Sequence, residues 1–325
     1  MNNKPYSIGI DIGGTNTVFG IVDRDGKVIA KGSIPTKGYE NFDSYLSELH
    51  KELYALIQKS DAEGKINGIG IGAPGANYHT GEIVNAANLN WGERLPLSKL
   101  VSEKFGGIPV VVTNDANAAT MGEMAYGAAR GMKDFVMITL GTGVGSGIVA
   151  NGKLIYGHDG LAGELGHVVI DHKGGRKCGC GRSGCLETYC SSTGVVRTAI
   201  ELLKTTDSPS VLRDIPESSL TSKKIYDAAI AGDKMANDIF EYTGRVLGEA
   251  LADFTAFSSP EAFILFGGLM KSGDLLLNPL KKAFEESLLF IYKDVPEILV
   301  STLNEDDGAV LGASALAWDV DNEKL

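Results

Sequence analysis

Apolar positions along this chain alternate between two periods, and the points where the period changes mark out its elements. Tyr6 to Ile12 is a near-continuous run of apolar and glycine positions, which predicts a buried strand. Thr17 to Val22 and Lys27 to Pro35 read as two further strands joined by the turn Asp23-Arg24-Asp25-Gly26. Phe42, Tyr45, Leu46, Leu49, Leu53, Leu56 and Ile57 then recur at helical spacing, ahead of a strand at Ile66 to Ile71. Pro96 to Phe105 predicts a helix, Ile108 to Thr113 a β-branched strand, and Asp115 to Arg130 a helix capped by Asn114 or Asp115.

A second cycle opens at Phe135 to Leu140, and here the chain resembles itself. Gly20-Ile21-Val22 and Gly26-Lys27-Val28-Ile29 around a short turn are echoed by Gly147-Ile148-Val149 and Gly152-Lys153-Leu154-Ile155. Each hairpin follows a strand that ends in a glycine-threonine loop, so two half-similar lobes are expected. Helices are predicted at Thr193 to Leu203, Ile225 to Ala231, Asp238 to Phe257, Leu275 to Phe290 and Ala309 to Trp318, with strands at Ala262 to Phe266 and Glu297 to Ser301. Residues 205 to 222, rich in Ser, Thr, Asp and Pro, read as an exposed excursion.

The chain is 325 residues long and 43% hydrophobic, enough for two substantial cores. Its net charge of -11 and the absence of clustered Lys and Arg argue against a nucleic-acid partner. No apolar run approaches the roughly 20 residues that span a bilayer, and no signal peptide opens the chain, so a cytoplasmic location without membrane attachment is expected. Glycine, at 42 residues, is abundant without any repeating period, which places the excess in motifs.

Three glycine turns follow strands. Asp11 is followed by Ile12-Gly13-Gly14-Thr15-Asn16, where backbone amides and two polar side chains can cradle a phosphate. Asp11 beside such a cradle makes sense with a Mg²⁺ between carboxylate and phosphate. The loop Gly141-Thr142-Gly143 has the same chemistry, and Gly267-Gly268 could let a nucleoside approach the backbone closely. Two phosphate loops and a nucleoside loop suggest ATP. Two rival motifs lack their context. Gly147 to Lys153 has Leu154 where a P-loop needs Ser or Thr, and Gly70 to Gly75 opens no helix as a dinucleotide fingerprint must.

All four cysteines fall in one window, as Cys178, Cys180, Cys185 and Cys190, with His167 and His172 just upstream. Thiolates on a glycine-rich backbone suit a closed, structural zinc site. Three thiolates are taken as ligands, and spacing leaves His167, His172 and Cys190 open as the fourth. The ion would brace the neighbouring carboxylates Glu164 and Glu187.

Taken in order, Asp11-Ile-Gly-Gly-Thr15-Asn16, Asn114-Asp115-Ala-Asn117, the loop from Leu140 to Gly147, Glu164-Leu-Gly-His167, and Cys178-x-Cys180-Gly-x-x-Gly-Cys185-x-Glu187 resemble the ROK family of sugar kinases, most of all its bacterial glucokinases. The resemblance covers nearly the whole chain. It implies an α/β, two-lobed actin-like fold of the sugar kinase and heat-shock ATPase type, each lobe βββαβαβα, with substrates in the cleft between lobes. A small N-terminal lobe would comprise residues 1-117 plus 305-325, and a large C-terminal lobe, carrying the zinc motif, 118-304. The resemblance makes His167 the fourth zinc ligand with Cys178, Cys180 and Cys185. It implies sugar contacts at Gly75, Asn88, Asn114, Asp115, Glu164, His167 and Glu187, with Asp115 as general base. Nucleotide contacts are implied at Asp11, Gly13, Gly14, Thr15, Asn16, Gly141, Thr142, Gly143, Gly267 and Gly268. Ser146 stands where family members often have glycine, and a shift in nucleotide affinity is the expected consequence. Only ten residues precede Asp11, so the repressor branch of the family, with its DNA-binding segment ahead of the first phosphate loop, is not expected. The activity implied is ATP-dependent phosphorylation of a hexose, glucose to glucose 6-phosphate first, by a homodimer. The alternatives are N-acetylmannosamine, N-acetylglucosamine or fructose as substrate, or a non-catalytic sugar sensor.

Overall fold

The computed structural model describes residues 4–84, 89, 91–292 and 296–318. Its contacts divide the chain into two compact units, one of Met1–Met132, Lys153–Ala162 and Ser301–Leu325, the other of Lys133–Gly152 and Gly163–Val300. Where the sequence reading divides after residue 117, this partition keeps the helix Asp115–Tyr126 whole within the first unit.

In the first unit, Tyr6–Ile12 lies antiparallel to Asn16–Asp23, which pairs outward with Val28–Pro35. On its other side it runs parallel to Ile66–Gly72, and that strand parallel to Val110–Thr113. Alternation along the central strand sends Ile8, Ile10 and Ile12 to one face, where they meet Tyr45, Leu49 and Leu53 of the helix Phe42–Lys59. Each such side chain, fully removed from water, contributes about 1.5–3 kcal/mol. The opposite face receives the helix Glu305–Ala315 at very short range. A Cβ on Gly9 would fall 2.0 Å from the Val310 carbonyl oxygen, and one on Gly70 1.8 Å from that of Ala313. Glycine at these two positions is what lets the helix seat on the sheet.

The second unit repeats the central arrangement. Phe135–Leu140 lies antiparallel to Val144–Ala150 and parallel to Ala262–Phe266, which runs parallel to Glu297–Val300. The internal similarity read from the sequence is therefore a repeated strand order. Helices Ser192–Thr205, Ser222–Ile230, Lys234–Ser258 and Asp274–Ser287 enclose a core that includes Ile138, Leu247, Leu251, Phe263 and Leu280.

The segment 205 to 222 differs from expectation. It holds two short 3-10 turns, Val211–Asp214 and Glu217–Ser219, and it drives Leu212 and Leu220 into the core of the second unit. Its polar composition conceals two anchors, because a loop needs only one apolar residue per turn to be pinned. Gly147 to Lys153 is a hairpin, with Asn151 and Gly152 both at positive φ, and Gly70 to Gly75 leads into no helix, so neither rival phosphate motif has its structural context.

Candidate functional site

In the first unit the strand register gathers the candidate residues. Asp11 is level with Gly72, and Gly72 with Thr113, so the three parallel strands end together. Each strand end gives way to a turn or helix start: the Gly13-Gly14-Thr15-Asn16 turn, the Ala73-Pro74-Gly75 turn, and Asn114-Asp115. The first turn is closed by the Gly13 amide donating to the Asn16 carbonyl at 3.0 Å, with Thr15 and Asn16 exposed. Gly75 sits at φ +69° and is exposed. Asn88 lies outside the described residues.

Asn114 caps the following helix, its side chain accepting from the Asn117 amide at 2.7 Å. Capping by the neighbour leaves Asp115 free of that duty. Its Oδ1 accepts from the adjacent Ala116 amide at 2.9 Å, and the residue is exposed. Asp11 stands close by, since a Cβ on Gly72 would have Asp11 Oδ1 at 3.6 Å and Asp115 Cα at 3.7 Å. Burial, and after it the Asp115 charge, push the Asp11 carboxyl up to about 6.

In the second unit two glycine turns sit side by side, because Phe266 is level with Thr139 on adjacent parallel strands. Gly267 has φ +111°, and a Cβ there would meet the Leu140 carbonyl oxygen at 2.6 Å. Gly141 and Gly268 face open space. The Gly141 to Gly143 turn is tied to the start of the helix Ser192–Thr205, through Ser192 N to Gly141 O at 2.9 Å and Thr193 Oγ1 to Thr142 O at 2.8 Å. A cavity of about 270 Å³ beside Gly268 is lined by Leu269, Lys271, Ser222, Tyr226 and Phe240.

One ligand atom each from His167, Cys178, Cys180 and Cys185 lies within 4.8 Å of all the others. Cys180 Sγ and Cys185 Sγ are 3.6 Å apart, and Cys178 Sγ is 3.6 Å from His167 Nδ1. These spacings match the edge of about 3.8 Å that Zn–S bonds near 2.3 Å give a tetrahedron, so the cluster fits a zinc ion. Its Nδ1 turned to the thiols, His167 presents Nε2 to Glu164 Oε2 at 4.0 Å. Glu187 leans on both motifs, with Oε1 3.2 Å from Cys178 Sγ and Oε2 accepting from the Val144 amide at 3.3 Å. A Cβ on Gly143 would come within 2.6 Å of that Oε2, so the glycine of the second loop makes room for this carboxylate. His172 is exposed and apart from the cluster, and Cys190 is fully buried with its thiol 3.7 Å from the Thr243 carbonyl oxygen.

The sequence profile of the ROK family matches residues 7–320. The chain belongs to the ROK family. It is 38% identical to a glucokinase of Halalkalibacterium halodurans, across 96% of this chain and 94% of that protein. The solved ROK glucokinase of Streptomyces griseus, in complex with glucose and AMPPNP, is 34% identical and superposes with a TM-score of 0.76, covering 96% of this chain and 98% of that one. A xylose repressor of Bacillus subtilis is 28% identical across 97% of this chain and 77% of the repressor. Among the described residues, no helix of this ROK chain is long and apolar enough to cross a membrane.

One polar residue of the second unit, read from sequence as bearing on the nucleotide, is bonded elsewhere. The Ser146 side chain is buried and bonds to the segment that carries Glu164, not to the glycine turn it follows. Strand alternation was the available signal, since Ser146 shares a face with Val144, in the core, and Ile148, packed against it.

Proposed function

We propose that this ROK protein transfers the γ-phosphoryl group of ATP to the 6-hydroxyl of a hexose, with glucose as the first candidate. One observation carries the reading of the chemistry: Asp115 is an exposed carboxylate at a strand end, relieved of capping by Asn114 and placed beside the half-buried Asp11. The identity to glucokinases over nearly the full chain supports the substrate class.

In this reading Asp115 is the general base, taking the proton of the attacking hydroxyl, a role worth about 10²–10⁴ in rate. Asn114, Asp115, Gly75, Asn88, Glu164, His167 and Glu187 contact the sugar. Gly13, Gly14, Thr15 and Asn16, together with Gly141, Thr142 and Gly143, offer donors to the phosphates. Gly267 and Gly268 border the nucleoside, whose base suits the apolar walls of the neighbouring cavity, Leu269, Tyr226 and Phe240. Asp11 would hold a Mg²⁺, directly or through water. The fit lies in the charge that burial and Asp115 discourage on Asp11, a deficit that a divalent cation relieves. Bound there, the ion supplies neutralisation of phosphate charge.

His167, Cys178, Cys180 and Cys185 would hold a structural zinc, whose part is to fix the imidazole through Nδ1 and leave Nε2 to the sugar. A homodimer belongs to the same reading. N-acetylmannosamine, N-acetylglucosamine or fructose are the competing sugars, and a sugar sensor without transfer is the competing class.

An ATP-consumption assay with purified protein across these hexoses and N-acetylhexosamines tests the reading. Glucose is expected to give the highest kcat/KM. A higher value with another sugar moves the substrate, and the absence of hexose-stimulated ATP turnover with any of them rejects the kinase.

A further inference from the structure

Ser146 is the single non-glycine position of Gly145-Ser146-Gly147, and it is 2% exposed. Its hydroxyl donates to the Gly163 carbonyl oxygen and accepts from the Leu165 amide at 3.0 Å. Those two backbone groups flank Glu164. Around them the chain lies directly on the strand Val144–Ala150: a Cβ on Gly166 would fall 2.0 Å from the Val144 carbonyl oxygen, and one on Gly163 3.3 Å from that of Ser146. Gly163 is bent to φ +87°, which sends the chain outward at the next residue. The Glu164 carbonyl then accepts from the His167 amide at 3.0 Å, so the turn Leu165–His167 and the Glu164 side chain move as one piece. That side chain is 57% exposed, and its Oε2 stands 4.0 Å from His167 Nε2.

The Ser146 hydroxyl is thus the polar fastener for the piece of backbone that carries Glu164. Without it, the Gly163 carbonyl and the Leu165 amide lose this partner, and the bend at Gly163 is free to shift. We propose that Ser146 is a positioning residue for the hexose, setting where the Glu164 carboxylate stands and so governing sugar affinity, with nucleotide affinity left alone. The inference rests on the reading of Glu164 as a sugar contact. It replaces the expectation that a serine in this loop would act on the nucleotide, because the hydroxyl points into the Gly163–Leu165 backbone.

The test uses the full-length protein in steady-state kinetics with glucose and ATP varied separately. Ser146→Ala is expected to raise the glucose KM about 5–10-fold, the effect of a lost hydrogen bond or two, with the ATP KM within about twofold. Ser146→Thr, which keeps the hydroxyl, should recover most of the glucose affinity. If Ser146→Ala does not fold, Ser146→Cys carries the same expectation. Combined with Glu164→Ala, Ser146→Ala should add less than about twofold, since the group it positions is gone. An unchanged glucose KM in Ser146→Ala overturns the inference, as does an equal rise in the ATP KM or a full effect that persists in the double variant. Glu164→Ala alone reports on the underlying reading: if it leaves the glucose KM at the wild-type value, Glu164 is no sugar contact, and that failure is separate from a silent Ser146→Ala beside a damaged Glu164→Ala.

Discussion

In the first unit the candidate base stands on regular structure. Asp115 opens a twelve-residue helix that is capped by Asn114 and preceded by a four-residue strand, so sheet and helix hydrogen bonds fix its backbone. In the second unit Glu164, His167 and Glu187 belong to a stretch whose regular structure is a three-residue 3-10 turn, a four-residue helix and two isolated bridges. Side chains hold this stretch: the Cys and His cluster, the Ser146 fastener and the Glu187 carboxylate on the Val144 amide. Two units with the same central strand order therefore hold their polar groups in different ways, one by backbone ladders and one by a Cys and His cluster and individual bonds. Damage to a side chain should be local in the first and should spread in the second.

The largest expected effect tests the first half of that contrast. Asp115→Asn is expected to lower kcat by about 10²–10⁴ while leaving the melting temperature and the glucose affinity near wild type, as read by calorimetry and equilibrium binding. A variant that keeps wild-type kcat removes Asp115 from the role of base. A large loss of stability would instead show that this carboxylate supports the helix start.

Cys180→Ala probes the second half. Cys180 is exposed, so truncating it opens no core cavity, and any loss of stability reports the cluster. Structural zinc supplies on the order of 10 kcal/mol in small zinc motifs and less where large cores share the load. A melting temperature lowered by several degrees is expected, together with a weakened glucose KM and loss of stoichiometric zinc in elemental analysis. Equal melting curves for wild type and variant, both with and without a strong chelator, would dismiss the metal brace.

The smallest effect sharpens the account of the first unit. The Asp11 carboxyl is raised from 3.8 to about 6, so the stability linked to its protonated form is complete below the unfolded value and is lost as pH climbs through about 6. Asp11→Asn removes that loss. In protein stripped of divalent cations the variant should match wild type near pH 4 and exceed it by on the order of 2 kcal/mol above pH 7. A stability difference that does not change with pH would contradict the buried-carboxylate account, and saturating Mg²⁺ should narrow the gap if Asp11 is the cation's ligand.

Much of this was legible in the chain. The runs at Tyr6 to Ile12 and Phe135 to Leu140 announced the two central strands, because a strand buried on both faces reads as a near-continuous apolar run. The cysteine window announced the cluster. Helix ends were less legible: the closing helix is Glu305–Ala315, not Ala309 to Trp318, because its polar first turn carries no apolar signal. Leu212 and Leu220 were hidden in a polar stretch, since two isolated leucines show no period. Ser146 was visible as an oddity, but its direction was decided by the strand that bears it.

The sequence by itself determined which residues could do chemistry here, and it did so through composition: carboxylates after strand ends, glycines in turns, thiols in one short window. Partnership was left to the tertiary structure. Register brought Asp11 level with Gly72 and Gly72 with Thr113, and packing at Gly143 and Gly166 decided what Glu187 and Ser146 could reach. The reason is physical: local pattern fixes which face a side chain leaves from, but the atom it meets depends on a neighbouring segment dozens of residues away.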